Sequence, residues 1–250
     1  MRLLIKSVLI AAVILASTIA IDAQRGGRGG PAQAPREAAA VDLTGYWVSV
    51  ITEDWKFRMV TPKKGVYETL PLNAEGRKIG DSWDPARDEA AGEQCRAYSA
   101  ANIMRMPTRL HITWEDANTL RIDTDAGTQT RLFRFGSAAA AAPGEASWQG
   151  RSVAAWQYAP GRGAPRRGNL KVVTTNLRPG YVRRNGAPHS KDAVVTEYFD
   201  ANALPNGDTW LTVTTRVEDP VYFTRPYLTS SDFKKLPSAA GWNPTPCSAR

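Results

Sequence analysis

The sequence predicts an all-β fold, an antiparallel sheet closed into a barrel with one short helical segment; a β-sandwich is the alternative. Seven stretches rich in Val, Ile, Thr and aromatic residues dominate the chain, and several alternate with period two. Turn residues separate them at short intervals. No strand–helix alternation of the kind that builds a parallel sheet is present. A barrel also removes the unpaired strand edges that a sandwich leaves.

In order, the strands are GYWVSVI (45–51), RLHITWE (109–115), TLRIDTD (119–125), TRLFRF (130–135), NLKVVTTN (169–176), AVVTEYFD (193–200) and TWLTVTTRVED (209–219). Leu110, Ile112 and Trp114 share one face of their strand, with His111, Thr113 and Glu115 on the other. Leu211, Val213, Thr215 and Val217 oppose Trp210, Thr212, Thr214, Arg216 and Glu218 in the same way. EDAN (115–118) and DAG (125–127) join three strands into a meander, and PNGD (205–208) carries the Asn-Gly hairpin signal. TEDWKFRM (52–59) also alternates and reads as an exposed ladder of cross-strand pairs. The helical stretch is Pro85 to Met104, interrupted by Gly92, and FGSAAAAAPGEAS (135–147) reads as a surface loop.

Ahead of this domain (41–250), Arg2 and Lys6 lead into an apolar run, Ser7 to Ile21, that ends in small residues. That pattern describes a signal peptide over 1–23, with an uncleaved anchor as the alternative, so the expected location is periplasmic or secreted. Residues 24–40, dense in Gly, Ala, Pro and Arg, read as a flexible linker. The formal charge is +8, and removing Arg2, Lys6 and Asp22 leaves +7. Much of the charge sits in GRGAPRRGN (161–169) and YVRRNG (181–186), where it favours anionic polymers weakly and salt-dependently. Two RGG repeats beside a signal peptide do not make a nucleic-acid site, so no nucleic-acid partner is expected and the membrane is met only during export. Cys95 and Cys247, an even pair in an exported chain, predict a disulfide.

No G-x-S-x-G, P-loop or strand-borne G-x-G-x-x-G occurs, and Ser152 lacks the elbow spacing. His111 and His189 have no metal-ligand spacing around them, so neither a metal nor a cofactor is expected. DTDAGT (123–128) begins like a calcium loop but places Gly one position early and Arg134 where the acidic ligand belongs, so it reads as a hairpin turn. Eight tryptophans imply a large buried aromatic area and, where some face inward, a wall for a flat ligand.

DLTGYWV, GEQC, WQGRSVAAW, GAPHSKDAVVTEYF and LTVTTRVEDPVYFTRPY together resemble an uncharacterised family of exported bacterial proteins across most of residues 42–235. The family pattern has a G-x-W start, a W-x-G-x-S-x-x-x-W block, an H-S…E-[RY]-F block and an E-D-P-x-x-[FY]-T-[RQ]-P block. The resemblance implies export and a lipocalin-like (calycin-type) barrel in which Trp47 plugs one end.

The leading functional expectation is a barrel that binds a small apolar or aromatic molecule, with Trp55, Arg58, Trp114, His189, Trp210, Glu218 and Arg225 as candidate ligand contacts. The alternative is a barrel isomerase, cyclase or hydrolase that uses His111, Glu197 and Asp219 as carboxylate and imidazole groups. At the end of the last strand, Pro220 turns the chain, and Arg225 is expected to return and pair with Glu218 or Asp219.

Overall fold

The structure, a computed structural model, describes residues 33–140, 144–160 and 167–250. The expected signal peptide and residues 24–32 of the expected linker lie outside the described residues, as do residues 161–166 of the basic loop. Strands form at β1 (Gly45–Val50), β2 (Arg109–Trp114), β3 (Thr119–Thr124), β4 (Gln129–Arg134), β5 (Arg151–Tyr158), β6 (Gly168–Thr175), β7 (Gly180–Arg183), β8 (Ala187–His189), β9 (Val194–Ala203), β10 (Thr209–Glu218) and β11 (Tyr227–Leu236). Nine close into one barrel in the order β1-β11-β10-β9-β6-β5-β4-β3-β2, while β7 and β8 form a separate hairpin. Barrel neighbours are antiparallel except at β4–β5, where Phe133 faces Ser152 and Arg134 faces Val153 in parallel. This seam is short because β5 begins beside the end of β4, after a connection that includes the short helix α4 (Gly136–Ala140).

Period-two alternation sorts the side chains. Leu110, Ile112, Leu120, Ile122, Phe133, Leu170, Val172, Phe199, Leu211, Val213 and Phe233 all point inward and are fully buried or nearly so. Phe133 and Phe199 meet edge to face at 5.3 Å. The barrel is therefore packed with side chains at this end. Trp47 is fully buried, donates its indole N–H to the Leu43 carbonyl at 2.9 Å and carries Lys235 Nζ 5.3 Å above its ring. Trp47 is buried as expected.

Toward the other end the interior turns polar. Arg131 and Glu197, both fully buried, form a bidentate pair at 2.9 and 2.6 Å, and Arg131 Nη2 also reaches Thr174 Oγ1 at 3.3 Å. Ser152 Oγ shares a hydrogen with Thr174 Oγ1 at 2.7 Å. Burying two charges is tolerable only when each meets a partner of good geometry, and here both carboxylate oxygens do.

Three connections cap this polar end: residues 51–108 between β1 and β2, the β7–β8 hairpin between β6 and β9, and residues 219–226 between β10 and β11. Strand direction brings all three to the same rim. The first contains α1 (Trp55–Arg58), α2 (Ala74–Asp81), α3 (Pro85–Ala90) and two 3-10 turns at 96–98 and 103–105. Their apolar faces meet in a second core of Tyr67, Leu70, Leu72, Val182, Val195, Val217, Phe223 and Tyr227. The expected helix over 85–104 survives only as α3 and the two turns. Asp84 caps its start by accepting from Ala86 N and Arg87 N, Pro85 occupies its first turn, and Gly92, at φ +71°, follows its end. The ladder expected at 52–59 is instead the single turn α1, entered through Asp54 at φ +51°. It folds inward because Arg58 becomes buried, bonded through Nε to the Arg105 carbonyl at 2.8 Å.

Cys95 and Cys247 are bonded, across 152 residues, and fasten the C-terminal segment to the cap beside Gln129. The turn at 125–127 is the expected hairpin, with Asp125 accepting from Thr108 Oγ1 and Arg109 N. Residues 33–40, the end of the expected linker, lie against the barrel end opposite the cap. There Trp156 Nε1 donates to the Pro35 carbonyl and Tyr158 OH to that of Ala38, both at 2.8 Å.

Candidate functional site: a groove in the cap

Two glycines shape the cap around one hollow. Gly186 sits at φ +83°, and a Cβ there would meet Trp83 Cβ at 2.2 Å, so the indole lies directly on the β7–β8 turn. A Cβ at Gly180 would meet His189 Nε2 at 2.7 Å and the Arg96 carbonyl at 2.8 Å. The result is a groove of about 200 Å3 between α2, α3 and the hairpin, walled by Ile79, Trp83, Tyr181, Pro188, His189 and Tyr222 and edged by Asp84, Arg87, Asp88 and Arg96.

Most polar groups of this groove are already committed. Asp88, buried, accepts from Arg96 Nη1 at 2.8 Å on one oxygen and from Tyr181 OH at 2.7 Å on the other. Burial, and then that bond to Asp88, raises the Tyr181 pKa well above the usual phenol value, so the hydroxyl stays a donor. His189 is fully buried. Its Nδ1 lies 3.1 Å from the Ser190 carbonyl, which only accepts, so Nδ1 carries the proton. Nε2 then accepts from Ser99 Oγ at 2.9 Å. Burial depresses the imidazole pKa, with the Ser190 carbonyl and the more distant Asp219 acting against it. Two donors are exceptions, both buried and without a hydrogen-bond partner among the described residues: the Trp83 indole N–H, and Arg96 Nε, which has only the Glu93 carboxylate 3.3 Å away.

The sequence candidates are scattered over the molecule. His189 is in the groove wall. Asp219, 3% exposed, lies behind it as a turn former, accepting from Ser190 N, Ser190 Oγ, Val221 N and Tyr222 N. Glu197 is inside the barrel with Arg131. His111 is on the outer surface, stacked on Tyr46 at 4.1 Å and edge-on to Trp242 at 6.2 Å. His111, Glu197 and Asp219 are thus not brought together. Trp55 is 63% exposed on α1, and Arg58 is buried beneath it in an ion pair with Glu53. Trp114 packs with Phe135 and Trp156 at the opposite barrel mouth, and Trp210 is half-buried on the outer face of β10.

The expected pairing of Arg225 is not formed. Arg225 is exposed and makes no ion pair among the described residues; Glu218 pairs with Arg216. Arg216 and Glu218 stand two residues apart on the same outward face of β10, so the local pair is made without any bend. The corner after Asp219 is held by its carboxylate acting on main-chain N–H groups instead.

Sequence reading did not single out Trp83, Asp88, Arg96, Ser99 or Tyr181. No group of His, Cys, Asp or Glu that would hold a metal exists among the described residues. No helix among them is long and apolar enough to cross a membrane. Comparison of the chain with family models, with curated proteins and with solved structures finds no match.

Proposed function

We propose that the protein is an exported β-barrel protein that binds a small aromatic molecule carrying a hydrogen-bond acceptor, in the cap groove rather than in the lumen. One observation carries the reading: a buried indole N–H at Trp83, unpartnered among the described residues, in the wall of an aromatic hollow. Buried donors are rarely left unmet, and a ligand carbonyl or carboxylate would meet this one. The volume, about 200 Å3, suits one ring, since a cavity of about 150 Å3 accepts benzene. Arg87, exposed at the rim, favours a carboxylate over a neutral acceptor. Location outside the cytoplasm is supported by the Cys95–Cys247 bond, which persists in oxidising compartments.

Calorimetric titration with benzoate and benzamide tests the reading. Saturable binding is expected, weakened about 2- to 10-fold in Trp83→Phe, which keeps the ring and removes one hydrogen bond. Absence of binding by any monocyclic aromatic acid or amide refutes it.

A second reading has one observation in its favour. Ser99 Oγ, His189 and the Ser190 carbonyl form a nucleophile–base–orienter chain of the kind a hydrolase uses. Ser99 is fully buried behind the imidazole, however, and forms no part of the groove wall. Covalent labelling of Ser99 by a fluorophosphonate would favour the hydrolase; no labelling of the folded protein favours the binding reading.

A further inference from the structure

We propose that the cap contains a second, separate site for a single halide-sized anion, formed by Arg58, Arg105, Arg183 and Arg184. With Phe57, Asn102 and Met106, these side chains wall a cavity of about 10 Å3, room for one water-sized particle. Arg58, Arg105 and Arg183 are 3%, 5% and 3% exposed. Two carboxylates answer them: Glu53 pairs with Arg58, and Asp54 lies 3.0 Å from Arg105 Nη2. Arg183 has no carboxylate contact among the described residues and spends its donors on the Val66 and Glu68 carbonyls and Thr69 Oγ1. Arg184 reaches the Arg250 main-chain oxygen. Asp232 attracts Arg58 without an ion-pair contact and accepts from Thr212 Oγ1.

Four guanidinium charges therefore meet two contacting side-chain carboxylates and an Arg250 oxygen around one small cavity. Arg58 Nη2 and Arg184 Nε, both buried, have no acceptor among the described residues. Burial, reinforced by the charge of Arg105, holds the pKa values of Arg58 and Arg183 below the ordinary guanidinium value. A cation cluster of this kind is costly unless something negative completes it. A water would satisfy an N–H but bring no negative charge to the cluster. A monatomic anion supplies acceptor and charge together, and the space excludes phosphate or sulfate.

Thermal unfolding at constant ionic strength, with chloride replacing gluconate, gives the test. The midpoint should rise saturably with chloride, following ln(1 + [L]/Kd), and sulfate should not reproduce the rise. Crystals soaked in bromide should show an anomalous peak between Arg58 and Arg184. Arg184→Gln, at a half-buried position, should fold and raise the chloride concentration needed by at least fivefold. Equal midpoints in chloride and gluconate, an empty cavity in bromide-soaked crystals, sulfate matching chloride, or an unchanged response in Arg184→Gln would each overturn the proposal.

Discussion

Removing Arg131 tests how the barrel tolerates charge in its interior. In Arg131→Met, Glu197 loses both of its guanidinium bonds, at 2.9 and 2.6 Å, while remaining fully buried among Val172, Thr215 and their neighbours. A carboxylate stranded in that way typically costs about 3–5 kcal/mol. The pair itself contributes much less, because desolvation of two ions offsets most of their attraction. The double variant Arg131→Met, Glu197→Leu should therefore recover most of the loss, to within about 1–2 kcal/mol of the parent, giving a strongly non-additive cycle. Urea unfolding at neutral pH, followed by tryptophan fluorescence and by circular dichroism, measures all four proteins. A single-variant loss below about 1 kcal/mol would mean water reaches Glu197, and additive losses in the double would mean the pair contributes through packing alone.

Reduction of Cys95–Cys247 releases a separation of 152 residues, and chain entropy sets an upper limit of roughly 5 kcal/mol on the stability lost; an unchanged urea midpoint after reduction would show the tail docks without the bond. Trp47→Ala should cost about 3–5 kcal/mol, since a fully buried indole and its bond to Leu43 are both removed; a loss under about 1 kcal/mol contradicts the plug. The folded pKa of His189 lies below the unfolded value of about 6.5, so the unfolded chain takes up the proton first as pH falls. Its contribution is complete above about pH 6.5 and is lost as pH drops from there through the folded pKa; His189→Gln should flatten that part of the stability profile, and an identical slope in the variant would refute the assignment.

Local pattern revealed the barrel because alternation is a local property: Leu211, Val213, Thr215 and Val217 mark the inward face of β10 by their own spacing. The disulfide was legible from cysteine number and export, and the β9–β10 hairpin from Asn206-Gly207. β5 and β11 were not read as strands. In β11, YLTSSDFKKL sets Ser231 between the inward Tyr227 and Phe233, because this strand crosses the polar half of the interior, while Asp232 and Lys234 take the alternate positions. Alternation at 52–59 misled for a related reason. Arg58 reads as a surface charge, yet the cap buries it against the Arg105 carbonyl, 47 residues away. The groove was hidden more deeply. His189 was noticed, but Ser99, its partner, lies 90 residues earlier, and Asp88 and Tyr181 are 93 apart. Such pairings follow from three connections converging on one rim, which no window of sequence displays. Gly180 and Gly186 were the available signals, as positions where a side chain would collide with the groove wall.

Indole N–H resonances distinguish the two possible homes for a ligand directly. In protein labelled with 15N-tryptophan and titrated with benzoate, the Trp83 signal should move saturably downfield as its N–H gains an acceptor, while Trp47, bonded to Leu43 inside the barrel, stays fixed. Saturable movement of Trp47, or of Trp114 and Trp156 at the far mouth, with Trp83 unmoved would contradict a cap-groove site.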